Sequence, residues 1–215
     1  LAQWCALVIM QISRLMERGL FKGFARPYLL VVALLFLVAC SPRLNWRTIQ
    51  SPEQRYTALF PGKPDKLERQ MQFGDQEFRQ TLEAVKIDDD IYSISSIEVL
   101  AKQVNAGLVQ KITTQLQANL IDRAKASGGS VVTEPAYFQN NQQQRTPTTD
   151  HYITLNGPSK TQQTMRVRWI IRISDDGNAW IYQVSVLHPN ADTSDAKTLL
   201  SKEEYANFFN EFYPE

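Results

Sequence analysis

Residues 104–126 read VNAGLVQKITTQLQANLIDRAKA, and this segment decides the fold because the spacing of the apolar residues changes there. Apolar residues recur at every fourth position, namely Val104, Leu108, Ile112, Leu116, Leu120 and Ala124. This period predicts a long amphipathic helix with one buried face. Its other face mixes basic and acidic residues, whereas a helix that lies on a membrane is rich in Lys and Arg, so we expect this helix to pack on a sheet.

Before this helix the sequence predicts a meander of short antiparallel strands. The predicted strands cover residues 44–49, 56–60, 67–73, 77–87 and 91–100. Turn residues separate them, and Pro61-Gly62-Lys63-Pro64 forms a rigid corner. We expect the acidic triplet Asp88-Asp89-Asp90 to be a solvated hairpin tip, because a calcium site needs its oxygen ligands at wider loop spacings.

After the helix, which Ser127-Gly128-Gly129 is expected to end, the strand pattern resumes. Strands are predicted at residues 130–138, 150–155, 161–174 and 179–187. Pro135 favours an edge position for the first of them. Residues 140–149 are predicted to be a polar loop, and Asp175-Asp176-Gly177-Asn178 is predicted to be a hairpin turn.

The last predicted element is a short helix over residues 201–212. Ser201 and Glu204 have the spacing of a capping box. Aromatic residues at helical spacing form a stripe that we expect to be core: Tyr205, Phe208, Phe209 and Phe212. Strands, a long helix, more strands and a terminal helix predict one α+β domain over residues 46–215, a mostly antiparallel sheet with its helices on one face.

The most distinctive chemical feature is an arginine face on the strand at 161–174. Arg166, Arg168 and Arg172 point to the same side, within about 14 Å at about 3.4 Å per residue. Such a face could bind a carboxylate or a phosphate through paired hydrogen bonds. It could equally pair with acidic residues of neighbouring strands, such as Glu83 or Glu98, or lie solvated.

The amino-terminal part of the sequence is typical of an export signal. Residues 28–40, YLLVVALLFLVAC, form an apolar stretch that follows Arg18, Lys22 and Arg26. This stretch has the length of a signal-peptide core and is short for a membrane-spanning helix, which needs about 20 apolar residues. We expect residues 16–39 to be the signal peptide, with Met16 as the start, and residues 1–15 to be an upstream extension.

Leu37-Val38-Ala39-Cys40 resembles the lipobox of bacterial lipoproteins. The resemblance implies cleavage before Cys40, lipid on its thiol and new amino group, and attachment of the protein to a membrane. Ser41 in the next position implies sorting to the outer membrane, with residues 40–45 as a tether. The alternative is a buried apolar helix that ends in a cysteine by chance.

Composition excludes several classes of site. The chain has 23 basic and 22 acidic residues, of which the first 39 residues contain four and one, so the remainder has a net charge of −2. This balance gives no electrostatic basis for binding nucleic acid. Cys5 and Cys40 are the two cysteines. A mature chain that starts at Cys40 therefore has no disulfide and no thiol nucleophile.

The stretch YTALFPGKP at residues 56–64, within this order of elements, resembles the small PsbP/Mog1-like α/β modules. It is also similar to a group of uncharacterised proteobacterial lipoproteins. The resemblance implies an accessory or binding module, and it carries no catalytic residues over to this sequence.

Few residues favour an enzyme. His151 and His188 have no partner at metal-ligand spacing, and there is no GxSxG, P-loop or GxGxxG pattern. We therefore expect no cofactor and no catalysis, and we expect a periplasm-facing outer-membrane lipoprotein that serves as an accessory or binding module for an envelope protein. The alternatives are a binder of anionic ligands through Arg166, Arg168 and Arg172, and a hydrolase with an unrecognised site.

Overall fold

The computed structural model describes residues 44–140, 142–157, 161–189 and 195–215, which belong to one compact unit, Leu44–Glu215. The α+β class predicted from the sequence is confirmed. Within the described residues the elements follow in the order β1 (Arg47–Ser51), β2 (Tyr56–Phe60), β3 (Asp65–Phe73), β4 (Gln76–Ile87), β5 (Asp90–Val99), α1 (Ala106–Ala126), β6 (Val131–Gln139), β7 (Arg145–Asn156), β8 (Gln162–Ile173), β9 (Ala179–His188), α2 (Ala196–Leu200), α3 (Glu203–Asn210) and β10 (Phe212–Pro214).

The strands form two antiparallel sheets. The larger sheet has the order β3-β4-β5-β9-β8-β7-β6, and the smaller sheet has the order β1-β2-β10. In the larger sheet the long helix α1 separates the strands β3 to β5 from the strands β6 to β9 along the chain. The strand β9, which follows all the others, pairs with both β5 and β8 and joins the two groups.

The larger sheet is covered on both faces. Even-numbered residues of β8 and β9, such as Ile170 and Val184, belong to a core cluster with Phe208 of α3. Odd-numbered residues point the other way, since side chains alternate along a strand, and Ile181 packs with Ile112 of α1. The helices therefore lie on opposite faces, not on one face as expected, because the central strand β9 carries buried apolar residues on both sides. We call the side under α2 and α3 the C-terminal face.

Helix α1 begins and ends where its sequence dictates. The Asn105 side chain accepts a hydrogen bond from the amide of Leu108 at 2.6 Å, which caps the first turn. The chain leaves the helix through Gly128, whose φ of 71° favours glycine. Val109 and Ile112 are buried against the sheet, and each contributes about 1.5–3 kcal/mol through burial.

A hydrogen-bonded carboxylate fastens the smaller sheet to the larger one. Glu83 of β4 is buried and accepts hydrogen bonds from the hydroxyls of Ser51, at 2.7 Å, and Tyr56. Burial and the nearby carboxylate raise the pKa of the Tyr56 phenol. Tyr56 therefore stays protonated and keeps donating its hydrogen bond.

Two predicted segments differ from the structure. The predicted loop at 140–149 is wrong over its second half, because β7 begins at Arg145 and pairs with β6 as far as Gln139. The short connection is held by Asn140, whose side-chain oxygen accepts hydrogen bonds from the amides of Gln142 and Gln144. The start of β7 was not recognised as a strand because it is exposed and its residues are therefore polar, without the alternating apolar residues of a half-buried strand.

The predicted terminal helix is shorter than expected, since only α3 lies within residues 201–212, and a separate helix, α2, precedes it. Ser201 is the C-cap of α2 and Lys202 is the N-cap of α3, so the predicted capping box with Glu204 is wrong. The last predicted helical residue, Phe212, instead begins strand β10, opposite Ala58 of β2. The aromatic stripe is core as expected, with Tyr205, Phe208, Phe209 and Phe212 all buried.

The edge position predicted for the strand with Pro135 is confirmed, since β6 ends the larger sheet. Pro135 is opposite Thr149, and two residues further on Tyr137 is opposite Pro147. Pairs two residues apart share the same hydrogen-bonding class. Both prolines thus occupy the pairs that need no amide between β6 and β7, which explains why the ladder tolerates them.

In the part of the chain that the structure describes, no helix is long and apolar enough to cross a membrane. Among the same residues, no group of three His, Cys, Asp or Glu side chains is arranged to hold a metal ion.

Candidate functional site

Two residues of the arginine face, Arg166 and Arg168, are buried around one carboxylate. Asp150 of β7 is opposite Arg168 of β8 in the sheet. Its Oδ1 accepts from Nε of Arg168 at 2.6 Å, and its Oδ2 accepts from Nη2 of Arg168 at 2.9 Å and Nη2 of Arg166 at 2.6 Å. The three side chains are 3%, 5% and 2% exposed for Asp150, Arg166 and Arg168. We call them the Asp150 cluster.

The Asp150 cluster also fastens the C-terminal helices. Nη1 of Arg166 donates to the carbonyl of Leu200, the last residue of α2, at 3.1 Å. Nη1 of Arg168 donates to the carbonyl of Phe209, in the last turn of α3, at 2.9 Å. Carbonyls at a helix C-terminus have no partner within the helix and carry partial negative charge. The two guanidinium groups therefore cap two helix ends that would otherwise be buried without donors.

Charge and burial oppose each other at Asp150. Burial by itself raises the pKa of this carboxyl, but the hydrogen bonds and charges of Arg168 and Arg166 outweigh it and hold the pKa below its ordinary value. Asp150 is therefore ionised at neutral pH. Arg166 also stacks its guanidinium on the Phe209 ring, 4.1 Å from the centroid. The ring shields the cluster from water on that side.

The alternative that the arginine face pairs with an acidic residue of a neighbouring strand is confirmed for Arg166 and Arg168, but the two residues named as examples, Glu83 and Glu98, are not the partners. Glu83 binds Ser51 and Tyr56, and Glu98 accepts hydrogen bonds from Arg79 and Asn178. The true partner, Asp150, lies at the start of a predicted strand. Its pairing with Arg168 depends on the register of two strands, which the local pattern does not give.

Arg172 lies apart from the other two arginines. Its side chain is half-buried and lines a small cleft of about 170 Å³ with Arg55, Ser174 and Glu215. Its Nε is buried and has no hydrogen-bond partner among the described residues. The three arginines thus share one side of β8 without forming one continuous site.

A larger cleft of about 570 Å³ opens above the Asp150 cluster, beside the edge strand β6, and we call it the β6 cleft. Residues of β6, the start of β7 and the C-terminal segment line it: Glu134, Pro135, Ala136, Tyr137, Gln139, Arg145, Asp150, Tyr152, Arg166, Arg168, Lys197, Asn210, Glu211 and Tyr213. Lys197 binds Glu134 at 2.5 Å, and the guanidinium of Arg145 lies 4.0 Å from the centre of the Tyr137 ring. The cleft therefore has mixed charge and a floor fixed by a buried ionic network.

A second carboxylate cluster lies elsewhere on the C-terminal face. Asp90 is 5% exposed, so the prediction of a solvated tip is wrong for this member of the triplet. Its Oδ1 lies 2.6 Å from Nδ1 of His188, and its Oδ2 accepts from the Tyr205 hydroxyl at 3.0 Å. Burial and the Asp90 charge raise the pKa of Tyr205. We call these three residues the Asp90 cluster.

The other residues singled out in the sequence have structural surroundings. His151 makes an edge-to-face contact with Trp169 at 5.0 Å, and burial lowers its pKa. Asp176 accepts from Ser174 and Arg55 within the predicted hairpin turn, consistent with a turn role. Cys40 and Ser41 lie outside the described residues, as does the whole predicted signal peptide.

No family model matches this chain, and no curated protein is significantly similar to it.

Proposed function

We propose that this protein is a lipid-anchored, periplasm-facing protein of the cell envelope, and that it acts as a non-catalytic binding module. The β6 cleft is the proposed binding surface, and a polar, charged segment of a partner protein is the proposed ligand. The observation that carries the proposed binding role is an open cleft whose floor, the Asp150 cluster, is buried and ion-paired.

The walls and floor of the cleft fit this ligand for different reasons. A volume of about 570 Å³ is within the common range for ligand sites, but most small-molecule sites are largely apolar. Cationic and anionic walls, such as Arg145 and Glu211, instead suit a segment with charges of both signs. A rigid floor lowers the entropy lost on binding, because the cleft does not need to reorganise.

The proposal assigns no direct ligand contact to the buried arginines. Arg166 and Arg168 donate most of their N–H groups to Asp150 and to main-chain carbonyls. A bound anion would therefore have to compete with buried internal bonds. Exposed Arg145 and partly exposed Lys197 are better placed to contact a ligand.

Site-specific photo-crosslinking in intact cells tests the binding surface. The photoreactive residue replaces Gln139, which is exposed and lines the β6 cleft, or Gln110, which is exposed on α1 and serves as the matched control. We expect a crosslinked protein at Gln139 that is absent at Gln110. It should disappear with Arg145→Glu and persist with Lys111→Glu on α1. Equal crosslinking at both positions would contradict the proposal.

Membrane fractionation and intact mass test the anchor independently. We expect acyl mass on Cys40 in the wild-type protein, and release from the outer-membrane fraction in Cys40→Ser. A wild-type protein that carries no lipid would overturn the proposed location and leave the cleft to be judged by crosslinking alone.

A further inference from the structure

The outer edge of β3 is unpaired among the described strands and differs from the opposite edge of the same sheet. β3 is nine residues long, its first six residues are exposed, and it contains no proline. The opposite edge, β6, contains Pro135 and is contacted by α3 and β10. A long, exposed and regular edge can add a strand from another chain, whereas a proline-marked and covered edge resists it.

The exposed part of β3 is complementary to itself in charge. Its first five residues are Asp65-Lys66-Leu67-Glu68-Arg69. When two such segments pair antiparallel about Leu67, Asp65 of one copy meets Arg69 of the other, and Lys66 meets Glu68. Twofold symmetry makes each contact twice, so four pairs of opposite charge result. Leu67, which is 60% exposed, meets Leu67 of the second copy and loses that exposure.

Symmetry restricts the alternative registers. The twofold axis must be normal to the sheet, so it keeps the faces of the two sheets on the same sides. Each residue can then pair only with one that points to its own face, that is, an even number with an even number. Registers centred on Glu68 or Arg69 place like charges opposite each other. The register centred on Gln70 has no like charges at its centre, but it pairs no opposite charges.

We propose that β3 pairs with β3 of a second copy of this chain, antiparallel and centred on Leu67, so that the two larger sheets become continuous. Existing contacts are compatible with this pairing. Lys66 contacts Glu68 and Glu53 on one face, and Arg69 contacts Gln80 on the other. A five-residue pairing buries less area than a permanent dimer interface, so the association is weak and depends on concentration. This proposal is independent of the β6 cleft.

Cysteine crosslinking identifies the register. The background is the full chain with Cys5→Ser and Cys40→Ser, into which single cysteines are introduced at Leu67, Glu68, Arg69 and Gln70. Directly opposed strand residues are within the Cα separation that a disulfide requires. We expect Leu67→Cys to form the disulfide-linked dimer fastest on mild oxidation. Faster linkage at any of the other three positions, or none at all four, would overturn the proposed register.

Charge exchange separates this pairing from nonspecific association. Asp65→Arg and Arg69→Asp each place like charges in two of the four pairs, while the double variant restores all of them. In analytical ultracentrifugation we expect each single variant to raise the dimer Kd by about tenfold or more, and the double variant to return it to within about threefold of the wild-type value. Circular dichroism checks folding. A wild-type chain that stays monomeric at millimolar concentration, or a double variant no better than the singles, would show that these charges only protect the edge.

Discussion

The Asp150 cluster and the Asp90 cluster both stabilise a buried carboxylate, but with different side chains. Each places a buried carboxylate of the larger sheet under the C-terminal helices. Asp150 is held by two permanently charged guanidinium groups, whereas Asp90 is held by a phenol and an imidazole. The two buried guanidinium groups depend on Asp150, because it is the counter-ion that they share. A carboxylate with weaker donors can lose one of them at smaller cost.

The difference is largest when the central carboxylate is removed. We expect Asp150→Ala to lower the free energy of unfolding by about 3–5 kcal/mol, because two buried guanidinium groups lose their counter-ion. Urea denaturation followed by tryptophan fluorescence measures the loss. Asp175→Ala, in an exposed turn, is the control and should change stability by less than about 0.5 kcal/mol. A loss at Asp150 no larger than this would show that the cluster is not structural.

The arginine face provides a second comparison on a single strand. We expect Arg168→Gln to lower the free energy of unfolding by about 2–4 kcal/mol, because Asp150 loses a charged partner and the Phe209 carbonyl loses its donor. Arg172→Gln should change stability by less than about 1 kcal/mol, because this side chain is half-buried and has no ion pair among the described residues. Equal losses of unfolding free energy in the two variants would mean that the deeper burial of Arg168 does not make it more important for stability than Arg172.

Acid should weaken the wild-type fold through Asp150. Its pKa in the folded protein lies below the ordinary value of 3.8, so its contribution is fully present above that value and is lost as the pH falls through the folded pKa. We expect the unfolding free energy of the wild type to drop more steeply below about pH 4 than that of Asp150→Asn. The measurement is urea denaturation at several pH values. Parallel pH profiles for the two proteins would contradict the assignment.

The smallest effect should come from the Asp90 cluster. Tyr205→Phe removes one hydroxyl donor and keeps the packed ring, so we expect a loss of about 1 kcal/mol. Thermal unfolding by calorimetry measures it, with Tyr213→Phe as the control because its hydroxyl binds the exposed side chain of Glu211. A loss as large as that of Asp150→Ala would remove the distinction between the two clusters.

The sequence predicted most elements and few of the contacts between them. The fourfold spacing from Val104 to Ala124 identified α1, and Pro135 identified an edge, because both depend on local geometry. The position of α2 and α3 on the face opposite α1 was missed, since that side of β8 carries the arginine face, which was interpreted as a binding, ion-paired or solvated surface. Strand β10 was missed because Phe212 continues the helical spacing of the aromatic stripe.

The candidate site was predicted in part. The arginine face was recognised from Arg166 and Arg168, but their use as caps for α2 and α3 depends on tertiary structure. Asp150 and Asp90 could not be assigned, because a carboxylate at a strand end looks the same whether it is solvated or buried. The β6 cleft also needs the register of β6 and β7, and much of β7 was predicted to be a loop.

Strand β10 has a consequence for the order of folding. Phe212 pairs with Ala58, so the smaller sheet joins the beginning of the described chain to its end. Such distant pairing has a high entropic cost of loop closure and forms slowly. β2 cannot gain this neighbour until residues 212–214 have been synthesised. One edge of β2 therefore stays open for pairing while the rest of the fold forms, and the smaller sheet is completed only when β10 arrives.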